Sequence, residues 1–279
     1  MSEISVVMTT YNAEKYVAEA VKSVLNQTFD NFEFIIVDDG SIDDTRIIIQ
    51  SFKDARIRFF ENGHDFIGSL NIGVDHASGK YIARMDADDI MHYKRLETQY
   101  NVMEESLNIT VCSSWMKVFG ENIFEDIIVS SLLGIIECLL LYLLKENILF
   151  HPTVMIRTDF LRKYSLKYEK YEYAEDYKLW VEIAKCGGRF YIDSRPLLSY
   201  RINSRQISCQ KKEEQKRTTL RIQREVLGYL IKKNKDKFRS LSIIVEGMAL
   251  GKEENIMADN DILFFFHDVF IKNKRKLIY

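Results

Sequence analysis

Proline is scarce in this 279-residue chain: Pro152 and Pro196 are the only two, and no Pro- or Ser-rich stretch interrupts it. A flexible linker between domains therefore has no compositional support. The four cysteines, Cys112, Cys138, Cys186 and Cys209, lie far apart. Without a C-x-x-C pair, zinc or redox work is not indicated, and reduced thiols in the cytosol are expected. Excess charge is lacking too: the net charge of −2 gives a nucleic-acid partner no support. No G-x-G-x-x-G follows the first strand pattern, which argues against dinucleotide binding. The absence of G-x-x-x-x-G-K-[ST] argues against a P-loop NTPase, and that of G-x-S-x-G against an α/β-hydrolase. The five histidines have no ligand spacing. No basic segment followed by an apolar stretch precedes the first strand pattern, so no secretory leader is expected.

What is there is a globular composition, with 47% hydrophobic and 29% charged residues. One apolar run, Ile127 to Leu144, approaches the length of a membrane span. Ser130, Gly134, Glu137 and Lys145 recur along it as a more polar stripe, and an acidic residue within a span is costly. The run is expected to be an amphipathic helix, buried in the core or lying against a membrane surface.

The first half alternates strand and helix patterns. Ile4–Met8, Phe32–Val37, Ile57–Phe60 and Tyr81–Met85 read as strands. Asn12 is positioned to cap a helix with Glu14 in its first turn and Val17, Ala20, Val21, Val24 and Leu25 on its apolar face. Further helices are expected over Asp44–Phe52 and Ile67–Ala77. This alternation predicts an α/β fold with a doubly wound, mostly parallel sheet, whose ligands bind beyond the carboxyl ends of the strands. Thr9, Thr10 and Tyr11 follow the first strand, Asp38 and Asp39 the second, and Asp86, Asp88 and Asp89 the fourth. From Arg201 to Arg239 there are thirteen Lys/Arg against four Asp/Glu, and the tail runs Ile262-Leu263-Phe264-Phe265-Phe266 into Lys272-Asn273-Lys274-Arg275-Lys276.

Two carboxylates in Asp86-x-Asp88, with Asp89 beside them, have the chemistry to hold one hard cation together with substrate phosphates. Such an ion neutralises a diphosphate leaving group as a Lewis acid. The same residues also read as an acidic turn capping the helix that begins near Tyr93. In Asp38-Asp39-Gly40-Ser41 the glycine permits a tight turn with positive φ, and a carboxylate there accepts from a base N–H or ribose hydroxyl, or caps the next helix. Tyr11 offers a face for a nucleobase, or packs on its own domain. Asp176, in AEDYKLW, suits a general base that deprotonates an acceptor hydroxyl. Glu175-Asp176 equally suits the acidic first turn of a helix. A single base and no protein nucleophile imply inversion at the sugar carbon.

Together these segments resemble the family 2 glycosyltransferases of GT-A fold. VVMTTYNAEKYVAEAVKSVLNQTFDNFEFIIVDDGSIDDT is similar to the family's nucleotide-holding opening, and ASGKYIARMDADD to its metal-binding strand end. HPTVMIR and AEDYKLW are similar to its acceptor-side segments. The resemblance covers roughly residues 3 to 205. It implies that Thr9 and Tyr11 line the nucleoside pocket and that Asp39 bonds the base, favouring uracil. Asp86 would contact ribose or the metal's water shell, and Asp88 would ligate Mn2+ or Mg2+ through the diphosphate. Asp176 matches the catalytic base, with His151 and Glu175 on the acceptor side. The Q-x-x-R-W motif of processive synthases is missing, which favours addition of a single sugar. The implied partners are a UDP-sugar donor and a glycan or lipid-linked glycan acceptor, in the cytoplasm or at the inner face of its membrane. The expected organisation is a GT-A domain over residues 1–207, with a nucleotide-sugar half (1–119) and an acceptor half (120–207). A helical, basic extension, 208–279, follows and is a candidate for peripheral membrane contact. A nucleotide-sugar-binding module without transfer, or a metal-dependent nucleotidyltransferase, are the other classes; the intact Asp86, Asp88 and Asp176 speak against the first. The second usually needs a basic, Gly-rich loop after strand one, which TTYNAEKY is not.

Overall fold

The computed structural model describes residues 2–121, 123, 125, 127–203, 211–234, 267, 268, 271 and 272. One sheet organises them. Its centre is β1 (Ile4–Thr10), every residue of which is buried. β2 (Phe32–Asp38) and β4 (Tyr81–Asp86) flank β1 in parallel, and β3 (Ile57–Glu61) extends the sheet beyond β2. Beyond β4 the order continues through β9 (Met155–Arg157), β6 (Val111–Gly120), β10 (Phe190–Ile202) and β5 (Ile90–Met91). β6 and β10 are parallel to each other, whereas β9 is antiparallel to both β4 and β6.

Strands buried on both faces need helices on both sides. On one face α1 (Val17–Leu25), α2 (Thr45–Ser51) and α4 (Arg95–Glu105) pack on Ile4, Val6, Met8, Phe34 and Ile36. On the other, α3 (Phe66–His76), α5 (Leu139–Lys145), α6 (Thr158–Lys163) and α7 (Glu175–Lys185) enclose Val7, Ile35, Val37 and Ile82. α8 (Lys212–Lys233) joins this second layer through Ile222, Val226, Leu227, Leu230 and Ile231. Its Gln223 amide donates to the Lys145 carbonyl, capping the end of α5 at 2.6 Å. The boundary expected after residue 207 lies outside the described residues. So do 204–210 and 235–239 of the basic stretch, Ile262–Phe266 and 273–276 of the tail.

Two local expectations are corrected. Ile127 to Leu144 is not one helix. Ile127–Val129 forms β7 against the edge of β6, and Gly134–Ile135 forms β8 against β10. Gly134 and Cys138 take left-handed backbone (φ +76 and +57), which ends helical continuity. Only Leu139–Lys145 is helical, with five leucines buried. Among the described residues no helix is long and apolar enough to cross a membrane. Asn12 does not cap α1, which starts at Val17. It has φ +46, and its side chain accepts from the Ile42 N–H. Glu14 likewise precedes the helix, accepting from the Asp44 N–H. The loop after β1 is thus stitched to the loop after β2 rather than wound into α1.

Candidate functional site

Register assembles the site. In the β1–β4 and β1–β2 ladders Thr9 is partnered with Asp86 and Thr10 with Asp38. Parallel strands ending level bring their following loops to one rim. That rim opens on a cleft of about 1680 Å³ lined by Thr9, Tyr11, Asp39, Asp86 and Asp88, with His151, Glu175 and Asp176 across from them. All eight candidates read from the sequence meet there. The volume exceeds the roughly 300–1,000 Å³ of a single small-ligand site.

On the β1–β2 side, Asp38 is structural. It is fully buried and accepts from Arg46 Nε (2.6 Å) and the Ser41 N–H (3.0 Å). Asp39 spends one oxygen on the fold: Oδ1 accepts from the Asp65 N–H (2.8 Å) and the Ser69 hydroxyl (2.7 Å). Oδ2 lies 3.7 Å from His64 Nδ1. Gly40 has φ +83, the tight turn that the glycine implied. Neither aspartate caps α2; there Asp43 accepts from the Thr45 N–H. The Tyr11 ring is 46% exposed, with its centroid 4.5 Å from that of His64.

At the end of β4 the acidic residues divide. Asp86 is ion-paired with Arg84, two residues earlier on the same strand face. Arg84 is buried and lines the cleft. Burial is the strongest influence and opposes its charge, but Asp86, Tyr168 and Asp89 together outweigh it and raise its pKa. Its Nε has no hydrogen-bond partner. Asp88 Oδ2 accepts from the Asn203 amide at 3.2 Å. Asp89 is fully buried and accepts from the Arg201 N–H, anchoring β10. Burial, together with the charges of Asp86 and Asp88, pushes its carboxyl well above the usual range. α4 has no side-chain cap, so the acidic turn does not serve that helix. Among the described residues no three His, Cys, Asp or Glu side chains form an all-protein metal cage. Mg2+-type ions do not need one, since one or two carboxylates plus substrate phosphates hold them. The hard oxygens of Asp88 and Asp86 at the cleft rim fit such an ion, with Arg84 competing for Asp86.

Across the cleft, α7 begins at Glu175, after Tyr173 in left-handed backbone (φ +65). Glu175 and Asp176 do form its acidic first turn, and both also face the cleft. Burial, then the neighbouring Asp176 charge, raises Glu175 to about 7. Burial raises Asp176 as well. The Tyr177 N–H, the Asn147 amide and the Arg84 charge oppose that rise. His151 opens a 3-10 turn, with Nε2 2.9 Å from the Tyr168 hydroxyl and its ring edge-on to Trp180. Burial and Arg84 hold its pKa well below the ordinary value, so it is a neutral wall of the cleft. Sequence reasoning missed His64, Arg84, Asn147 and Asn203. Only Arg84 carried a signal, a charged residue within an otherwise apolar strand.

A mostly parallel α/β sheet with an acidic cleft at its strand ends is the GT-A arrangement of nucleotide-sugar-dependent glycosyltransferases. The sequence model of the family described as Glycosyl transferase family 2 matches residues 5–165. The chain belongs to that family. It is 33% identical over 228 residues to the UDP-Glc:alpha-D-GlcNAc-diphosphoundecaprenol beta-1,3-glucosyltransferase WfgD of Escherichia coli, covering 81% of this chain and 85% of that one. Its fold is similar to that of S. aureus TarS 1-349 in complex with UDP-GlcNAc (TM-score 0.64, 20% identity, 86% of this chain and 76% of that one). It is also similar to the mannosyltransferase PcManGT from Pyrobaculum calidifontis in complex with GDP-Man and Mn2+ (TM-score 0.59, 14% identity, 96% and 80%).

Proposed function

We propose that this glycosyltransferase moves a sugar from a UDP-sugar to a hydroxyl of a glycan or lipid-linked glycan, with inversion, in surface-polysaccharide or lipid-linked oligosaccharide assembly. The observation that carries the reading is the convergence of Thr9, Tyr11, Asp39, Asp86, Asp88 and Asp176 on one cleft from segments far apart in sequence. In this reading Thr9 and Tyr11 bound the nucleoside, and Asp39 Oδ2 accepts from the uracil N3–H. Asp86 faces the ribose, and Asp88 holds Mn2+ or Mg2+ against the diphosphate. A bound divalent ion supplies Lewis-acid neutralisation of the departing diphosphate. Asp176 takes the proton of the acceptor hydroxyl as its oxygen bonds to the anomeric carbon and the bond from that carbon to the UDP oxygen breaks. Adjacent carboxyls in unlike surroundings favour a division of labour: burial and the Asp176 charge raise Glu175 to about 7, whereas the Tyr177 N–H, the Asn147 amide and the Arg84 charge oppose the rise that burial causes at Asp176.

The E. coli relative's lipid-diphosphate acceptor, the UDP-GlcNAc complex of TarS and the Mn2+ of PcManGT support the choices of acceptor, donor and ion. The reading places the protein in the cytoplasm, with peripheral membrane contact through the basic extension after residue 208. The test is a panel of UDP-sugars with Mn2+, assayed for UDP release with and without diphosphoundecaprenyl-linked sugars. Acceptor-dependent UDP release supports it; UDP-sugar binding with no turnover on any acceptor, or pyrophosphate released from UTP, rejects it.

A further inference from the structure

His64 touches both groups that the proposed function gives to the base. Its ring lies against Tyr11, centroids 4.5 Å apart and planes tilted by 36°. Its Nδ1 is 3.4 Å from the Asp39 carbonyl oxygen and 3.7 Å from Asp39 Oδ2. The next residue, Asp65, donates its N–H to Asp39 Oδ1, so the same turn holds that oxygen and flanks Oδ2. The turn itself is unusual. His64 has φ +55, a conformation uncommon for a residue with a side chain and costly unless its surroundings fix it. It is nevertheless 67% exposed and lines the cleft, so the core does not supply that fixing contact. Two rings 4.5 Å apart also leave no room for a base between them; a stacked base needs about that distance on each side. One face of Tyr11 is therefore taken by His64, which leaves the other face for a base.

We propose that His64 is a positioning residue for the donor nucleotide: it backs the Tyr11 ring so that its free face and the Asp39 carboxylate meet one pyrimidine. This rests on the UDP-sugar reading above. His64 sets the platform before the ligand arrives, and its influence ends at the nucleoside, because the anomeric carbon lies toward Asp88 and Asp176.

The test is a double-mutant cycle read by UDP calorimetry. Asn tolerates left-handed backbone, so His64→Asn keeps the turn and removes the ring. UDP binding is expected to weaken about 2- to 12-fold, the value of an aromatic pair. The loss should appear in the donor KM rather than in kcat, and His64→Tyr should restore it. In a Tyr11→Ala background His64→Asn should add almost nothing, since the ring it supports is gone. Wild-type UDP affinity in His64→Asn, or full additivity with Tyr11→Ala, overturns the assignment. A wild-type protein that does not bind UDP overturns the donor reading itself, and this inference with it.

Discussion

Asn147 donates its side-chain amide to Asp176 Oδ2 at 2.9 Å, tying the loop after α5 to the first turn of α7. The bond constrains how the carboxylate sits in the cleft. Asp176→Asn is expected to lower kcat about 10²–10⁴-fold, the usual effect of removing a general base. UDP affinity should stay near normal, because the proposed nucleotide residues lie at the ends of β1, β2 and β4. Asn147→Ala should cost less, about 10- to 100-fold, by freeing a charge-assisted hydrogen bond. Single-turnover rates and NMR of the product's anomeric configuration check both; retained configuration, or wild-type turnover in Asp176→Asn, assigns the chemistry elsewhere.

Asp88→Asn should keep the fold and remove most turnover, by about two orders of magnitude or more, since Lewis-acid stabilisation is worth several kcal/mol. EDTA should abolish UDP release, and Mn2+ or Mg2+ should restore it. Full activity in EDTA contradicts the metal assignment.

Glu175 gives a pH prediction with a definite sign. Its folded pKa, about 7, stands above the ordinary 4.5. The stability tied to its protonated form is therefore complete below pH 4.5 and is lost as pH rises to 7. Glu175→Gln removes that loss. The variant should match wild type near pH 4.5 and exceed it by on the order of 3 kcal/mol above pH 7. Denaturant unfolding across that range measures the difference; parallel curves refute it.

UDP should bind more tightly than GDP or ADP, because Asp39 Oδ2 suits the uracil N3–H. Tyr11→Ala should weaken UDP by ~1–3 kcal/mol, the value of a stacked base. Equal calorimetric affinity for the three nucleotides rejects the uridine assignment.

The exposed residues of α8 include Lys212, Lys216, Arg217, Arg221, Arg224, Lys232 and Lys233 against Glu213 and Glu214. Basic residues near an anionic surface contribute about 1 kcal/mol each. The protein should float with anionic vesicles and much less with neutral ones. Indifference to lipid charge removes the membrane contact from the reading.

Strands β1 to β4 and the residues at their carboxyl ends are legible in the amino-acid pattern. Buried parallel strands read as continuous apolar runs, and the loops after them must carry whatever the cleft binds. Thr9, Tyr11, Asp39, Asp86 and Asp88 were legible as cleft residues for that reason; Asp176, in the first turn of α7, was singled out instead through AEDYKLW and the resemblance it carries. The fate of Ile127 to Leu144 was not legible: its apolar residues fit a helix as well as strands, and only backbone pairing with β6 and β10 makes β7 and β8, whose Ile127, Ile128 and Ile135 stay exposed. Tertiary structure alone separated Asp38 and Asp89, which hold the fold together, from Asp39 and Asp88, which face the cleft. Neighbouring aspartates look alike in a sequence, and only the donors around each one distinguish them. His64, Asn147 and Asn203 were invisible for the same reason. They act through space on residues 25 to 115 positions away, and no local pattern encodes a contact of that separation.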